Sequence, residues 1–470
     1  MAKLHLKASR NLILSSLLFL ASLSVNAQME CRSMLGAHLT PFKEGTSILW
    51  GIEATMAPGM MTSPYDSLGK TQLNGGMLLG ALDFGFGQQK HHIYLEGGYK
   101  NWKNSEFVDS EAFKKSKHLG MRQAFYSYTN NGVNVKLGLH ETRLGDFFLI
   151  DERVLGASVD KEIGAFTLNG RVGSVNELFA RMGKFCANRH LYGVINPSYT
   201  EKIGKKIGDT NFAGLVINWN PKHIKSVPGS NNTDEFGNTD EFSKDDEFLN
   251  NVDEFHENHD FNEFGNTSEF SDKAETSPKQ NIYVSNVGII FYDEFGDENY
   301  IPENKFYTGA LVDINLPYGF LLQTGGIYQN MKNNNTIVYI AKFGKSRAWD
   351  NASLTKISGA YIGKSNIDDN ALFQPLFSNL FIGEVMRMDA TEFPLWQMAI
   401  KHRFPGKLKM HVALKAAGQI EDAKTNEQDI ELGLLAFKKH LKVTLIGSRV
   451  ETLALPNEFY MARAELRLAF

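Results

Sequence analysis

Apolar and polar residues alternate one by one along most of this chain. Strand side chains point to opposite faces in turn, so a period of two predicts strands with one apolar face each. From Thr46 the pattern falls into segments of about ten residues, the length of a tilted strand that crosses a bilayer. It predicts 75–86 paired with 91–99 across Gly87–Lys90, 119–128 with 133–140 across Asn130-Asn131-Gly132, and 153–161 with 165–172 across Glu162-Ile163-Gly164. An Asn-Gly step supplies the positive φ angles of a tight hairpin. Longer links fall at 58–72, 102–116 and 143–151. The alternation returns at 282–291, 306–315, 319–329, 336–343, 356–362, 380–388, 396–404, 407–417, 430–437, 441–450 and 458–470. Leu316–Gly319, Pro405-Gly406 and Lys438–His440 mark turns.

After the N-terminus no apolar run reaches the roughly 18 residues of a spanning helix. Short turns that alternate with long links, joining strands with half an apolar face each, instead describe a membrane β-barrel. The expected fold is all-β: one transmembrane antiparallel up-and-down barrel of about 18 strands, from an even-numbered range of 16–20. Val175–Phe185 breaks the rhythm and suits a short helix, either a surface turn or a loop folded into the pore.

The last stretch, Glu458–Phe470, alternates most clearly. Tyr460, Ala462, Ala464, Leu466, Leu468 and Phe470 share one parity; Arg463, Glu465 and Arg467 share the other. A terminal carboxylate beside a fully buried ring is costly, whereas at a membrane interface the ring sits at headgroup level. This ending resembles the C-terminal signal strand of Gram-negative outer-membrane β-barrels, and the whole pattern looks like a porin-type channel of that class. The resemblance implies an insertion signal at Tyr460, Leu466, Leu468 and Phe470. It also implies outer-membrane lipid and the barrel-assembly machinery as partners.

Both ends of the chain fit. Lys3, Lys7 and Arg10 precede an apolar stretch from Leu12 to Val25, and Val25-Asn26-Ala27 is a small-residue cleavage site. Residues 1–27 thus read as a signal peptide and 28–470 as the barrel. Cys31 and Cys186 admit either a disulfide or two thiols.

Residues 226–280 differ in kind. Six Asp/Asn/Ser-Glu-Phe triplets recur between Asp234 and Phe270. Fifteen acidic residues against three lysines give the stretch −12, so a chain of formal charge −4 carries +8 elsewhere, and about +5 once the leader's Lys3, Lys7 and Arg10 are removed. Such composition cannot bury enough apolar surface to offset chain entropy, so a disordered acidic insert in one barrel loop is expected. The Gly turn and ligand spacing of an EF-hand are missing, and His256 with His259 do not make a metal site. The sequence leaves open which side of the membrane carries the insert, although long inserts of this kind are more often external.

With the apolar parity turned to lipid, the C-terminal strands direct Lys407, Lys409, His411, Lys415, Asp429, Glu431, Lys442, Arg463, Glu465 and Arg467 inward. A Lys or Arg on the lipid side at the midplane costs roughly 2–4 kcal/mol, which decides the orientation. These charges either solvate the lumen and pair across strands or select solutes. Tyr94, Tyr99, Trp102, Tyr126, Tyr128, Trp219, Trp396 and Tyr460 lie near strand ends, as interfacial girdles do. The expected function is a porin-like channel for small polar or anionic solutes, with no cofactor and no nucleic-acid partner. A structural or adhesive barrel that presents the acidic insert is the alternative. An outer-membrane hydrolase is the less favoured alternative, since the chain has neither a G-x-S-x-G elbow nor an H-E-x-x-H pair. Asp83, His91 and His92 read as a polar turn. The short segment before the first strand leaves no room for the plug of a TonB-dependent receptor.

Overall fold

The computed structural model describes residues 34–43, 46–62, 70–104, 115–145, 148–176, 204–221, 282–349, 351–368, 371–373, 375–376, 394–420, 425–437, 440–452 and 456–470. Its strands are β1 (Thr40–Pro41), β2 (Ile48–Thr62), β3 (Lys70–Phe86), β4 (His91–Asn104), β5 (Lys115–Asn130), β6 (Val133–Leu144), β7 (Ile150–Ile163), β8 (Phe166–Ser174), β9 (Thr210–Trp219) and β10 (Tyr283–Gly296). Then follow β11 (Lys305–Leu316), β12 (Phe320–Asn330), β13 (Thr336–Ala348), β14 (Leu354–Asn366), β15 (Leu395–Arg403), β16 (His411–Gln419), β17 (Asn426–Ala436), β18 (Leu441–Glu451) and β19 (Phe459–Ala469). Each strand from β2 to β19 pairs antiparallel with the next, and β19 pairs with β2. The result is a closed 18-stranded barrel, with β1 a two-residue addition on β2.

Its faces are inverted relative to a water-soluble sheet. On β17, Ile430 and Leu432 are each 48% exposed, whereas Asp429 and Glu431, which alternate with them, are 5% and 3% exposed. The same holds around the ring: exposed Leu78, Leu82, Ile289, Phe291, Met398, Ile400, Leu414 and Leu445 occupy one parity, and buried Glu53, Glu96, Lys342, Gln397, Lys442 and Arg467 the other. An apolar belt outside and hydrogen-bonding groups inside is the arrangement that a bilayer imposes on a closed sheet.

The hairpin chemistry holds where it was legible. Asn131 (φ 47°) and Gly132 (φ 70°) form the β5–β6 turn. Three corrections follow from the sheet. First, β2 runs through Pro58 to Thr62, and β3 starts at Lys70. The β19–β2 ladder is interrupted between Gly59 and Met56, so the missing N–H of Pro58 falls in the gap. Second, β9 adds a strand that the alternation did not single out, because Leu215-Val216-Ile217 is apolar on both faces. Third, Lys407–Met410 belongs to the β15–β16 turn, where Gly406 has φ +119° and Lys409 φ +30°. The 380–388 stretch, most of Val175–Phe185 and the acidic insert lie outside the described residues.

Counting strands assigns the ends. The β3–β4, β5–β6, β7–β8, β11–β12, β13–β14, β15–β16 and β17–β18 turns share one end of the barrel with Thr40 and Phe470. Short turns mark the periplasmic end of bacterial barrels. The β9–β10 link opens at that same end. The link that contains residues 226–280 therefore leaves β9 and enters β10 at the short-turn mouth, a side that the sequence leaves open. At the opposite rim, Glu458 accepts hydrogen bonds from the Tyr460 hydroxyl at 2.6 Å and Arg449 Nη2 at 2.5 Å. These bonds hold its carboxyl below the ordinary range.

The aromatic positions sort accordingly. Tyr99, Trp219 and Tyr460 are exposed on the outer face near the barrel rims, and Tyr126 lies with His91 and Phe86 at the short-turn interface. Among those whose side chains are described, Tyr94 departs from this placement. It points inward and donates to Glu96 at 2.7 Å.

Candidate functional site: a lumen narrowed by two inward segments

The candidate site is the barrel interior, and its shape starts from where the ladders stop. The β5–β6 pairing ends at Ala124–Leu139 and the β7–β8 pairing at Leu155–Ser174, yet β6 and β7 stay paired to Leu144–Ile150. Residues 140–154 thus form a tongue paired only with itself. One of its faces is fully buried, with His140, Thr142, Leu144, Ile150, Glu152 and Val154 each at most 5% exposed, and so are Phe148 and Leu149 at its tip. On the other face Arg153 is buried and the Glu141–Arg143 pair is about a quarter exposed. Lys342 of β13 lies with its ammonium 5.1 Å from the Phe148 ring, although β13 stands six strands from β7 around the barrel. The tongue therefore crosses the lumen. Gly214 of β9 makes room for it, since a Cβ there would stand 2.8 Å from Leu144 Cδ1 and 3.1 Å from the Tyr292 ring.

A second segment, within the β14–β15 link, covers the same side. The Leu376 amide donates to both carboxylate oxygens of Glu294 on β10, at 2.8 and 3.0 Å. Phe373 meets Tyr307 of β11 edge to face at 5.8 Å, and the Leu372 carbonyl accepts from Gln329 of β12 at 2.8 Å. Beneath both segments the inner wall is apolar, with Ile290, Ile327, Val338, Ile340, Ile362 and Leu395 buried. This explains a core that alternation alone does not imply: strands β10 to β15 carry apolar residues on both faces because lipid covers one and the inward segments the other.

The remaining arc is charged. On β14–β19 the inner parity holds Lys356, Lys364, Lys401, Arg403, Lys415, Lys442, Arg463 and Arg467 against Glu427, Asp429, Glu431 and Glu465. Glu431 is the hub of the lower part, with His411 Nε2 at 2.6 Å, Lys415 Nζ at 3.7 Å and Lys401 Nζ at 3.9 Å. One carboxylate thus organises three cationic or ionisable side chains from two neighbouring strands, which fixes their height in the wall. At the closure seam Arg467 donates twice to Glu53 Oε1, at 3.0 and 2.6 Å, and its Nε lies 3.7 Å from Glu465. Further round, Arg122 Nε stands 3.2 Å from Glu96 Oε1. Arg122 occupies the bulge where Glu96 pairs with Gln123 and Gly97 with Met121, which turns an extra side chain inward. Buried ions are tolerated when an opposite charge stands this close.

Of the ten inward residues expected from the sequence, His411, Lys415, Asp429, Glu431, Lys442, Arg463, Glu465 and Arg467 lie on the inner face. Lys407 and Lys409 do not. They sit in the turn beyond the end of β16, because Pro405-Gly406 starts the reversal before the strand can extend to them. Glu53 and Lys401 were legible from their own alternation, Ile52-Glu53-Ala54 and Ile400-Lys401-His402. Phe148 and the tongue were not. The Asp83–His92 pair is structural: Nδ1 of His92 lies 3.0 Å from Asp83 and Nε2 lies 3.1 Å from the Gln89 carbonyl, so both ring nitrogens are engaged. Among the described residues no group of three or more His, Cys, Asp or Glu is placed to hold a metal ion.

Neither a protein-family model nor a curated protein matches the sequence. Solved structures do. A BenF-like porin from Pseudomonas fluorescens Pf-5 superimposes with a TM-score of 0.50 at 11% identity, over 92% of this chain and 100% of its own. Pseudomonas aeruginosa OccK9 (OpdG) gives the same TM-score and coverage at 9% identity. This is the fold of an outer-membrane porin. At such identities the likeness is one of backbone architecture, and the wall chemistry above is this chain's own.

Proposed function

We propose that the chain is an outer-membrane channel through which small polar or anionic solutes diffuse along the charged arc. The observation that carries this is the asymmetry of the interior: inward segments fill one side with apolar packing, and eight Lys or Arg against four carboxylates line β14–β19 on the other. Among the residues that line this path, His411, Lys415, Asp429, Glu431, Lys442, Arg463, Glu465 and Arg467 provide the field. Rings of basic side chains favour anions. In a planar bilayer under a KCl gradient the purified protein is expected to prefer chloride. Replacing Lys401 and Lys415 together by Glu should reverse the sign of the reversal potential. A parent channel that prefers potassium would overturn the anion assignment.

The insert at 226–280 serves, in this reading, as a peripheral acidic segment at the short-turn mouth. Its attachment there supports a channel over a surface adhesin. Loop-closure entropy changes by only about 0.6 kcal/mol per doubling of length. Replacing 226–280 by a short Gly/Ser linker should therefore leave the heat-modifiable barrel band intact. The same change should strengthen chloride preference at low salt, because exposed charge acts over roughly 10 Å at 0.1 M ionic strength. Loss of the band would show the insert to be structural.

A further inference from the structure

The segment ahead of the barrel does not hang free below it. β1 lies alongside Leu49 and Trp50 of β2, and the residues before it turn inward through a single 3-10 turn, Leu35–Ala37, in which the His38 amide donates to the Leu35 carbonyl at 2.9 Å. Leu35 is fully buried and Met34 nearly so. Their seat is the inner face of the closure seam. A Cβ on Gly51, which shares the inward parity of Glu53, would stand 3.1 Å from Leu35 Cδ2 and 3.2 Å from Leu39 Cδ2. The same Cβ would lie 3.2 Å from the Phe470 carbonyl oxygen. The His38 ring packs 4.8 Å from that of His440 in the β17–β18 turn, closing the segment against the neighbouring strands.

Glu53 holds this segment by chemistry that a mere apolar contact would not need. Its carboxylate is fully buried. Arg467 and the Thr55 hydroxyl both address Oε1, the latter at 3.0 Å. The Met34 amide addresses Oε2 at 2.5 Å. A backbone N–H to a buried carboxylate is a charge-assisted bond, stronger than a neutral one. It ties the chain ahead of β1 to a wall ion pair inside the lumen.

We propose that Met34–Leu39 is a resident strap that narrows the lumen at the short-turn mouth and limits the size of solute that passes, with Glu53 as its latch. The consequence for passage rests on the channel reading above; the placement of the strap does not.

Two measurements separate the two. Replacing Met34–Leu39 by Gly/Ser of equal length should raise single-channel KCl conductance about twofold, as the open cross-section grows, and should admit larger polyethylene glycols. Unchanged conductance and exclusion size, with the barrel band intact, would overturn the strap as a restriction. The second measurement needs no current. In a background of Cys31→Ser and Cys186→Ser, Leu35→Cys is treated with a charged maleimide. Adding Glu53→Gln should speed labelling by about tenfold, since a charge-assisted bond becomes a neutral one. Equal rates in the two proteins would overturn Glu53 as the latch. A parent that conducts nothing while the labelling difference holds would refute the channel and leave the strap standing. If Glu53→Gln does not assemble, the strap replacement decides.

Discussion

Replacing Leu466 with Arg is expected to remove the protein from the outer membrane, leaving it degraded or in the periplasm. Leu466 lies mid-strand on the lipid parity of β19, opposite Val443 on one side and Met56 on the other. An Arg at such a position costs roughly 2–4 kcal/mol. The location multiplies the consequence, because β19 is the strand that closes the ring on β2. A defect there leaves two open edges instead of one weakened ladder. Deleting Phe470 acts on the same closure: its amide and carbonyl each exchange a 2.8 Å hydrogen bond with Ile52, and its ring stacks on His440. The heat-modifiable band on gels reads both variants. Leu466→Val serves as the control and should assemble normally. Parent-level bands for both Leu466→Arg and the Phe470 deletion would refute the assignment of this strand as the insertion signal.

Cutting the tongue back is expected to give the largest change in conductance. Leu139 and Leu155 already face each other at the last rung where the neighbours still pair. Joining them through Asn-Gly therefore removes residues 140–154 without touching the ring. With the tongue gone, Phe148 no longer stands under Lys342, and conductance should rise by a factor on the order of three, since current follows open cross-section. A milder variant, Phe148→Ala, should give a smaller rise and retain the fold, because the ring contributes packing inside the lumen and none to the ladder. An intact barrel whose conductance is unaltered by the deletion would mean that the passage runs elsewhere.

Much of this architecture was legible in the chain. The lipid and lumen faces of β16 to β19 follow from alternation, because each side chain's orientation is set by the pleat and a charge on the lipid side is costly. The Asn131-Gly132 turn follows from its φ requirement. The reading stopped where that logic stops. A run such as Leu215-Val216-Ile217 reads the same whether its second apolar face meets lipid or an inward loop, so β9 was hidden. Without β9 the side on which the acidic insert is attached is inverted. Lys407 and Lys409 keep the parity of the wall but lie past the end of their strand, and alternation does not say where a ladder ends.

What the sequence determined by itself is what depends on nearest neighbours in the chain: the strand period, tight turns such as Asn131-Gly132, the two faces of β16 to β19, and the foreign composition of 226–280. What only the tertiary structure decided depends on which strands find partners. The tongue exists because β5 and β8 stop pairing with β6 and β7 while those two continue with each other. The Leu376–Glu294 anchor and the Met34–Glu53 latch exist because ring closure brings distant residues within hydrogen-bond reach. Local propensity carries no information on such meetings, since the free energy that makes them comes from burial and ion pairing across the closed ring.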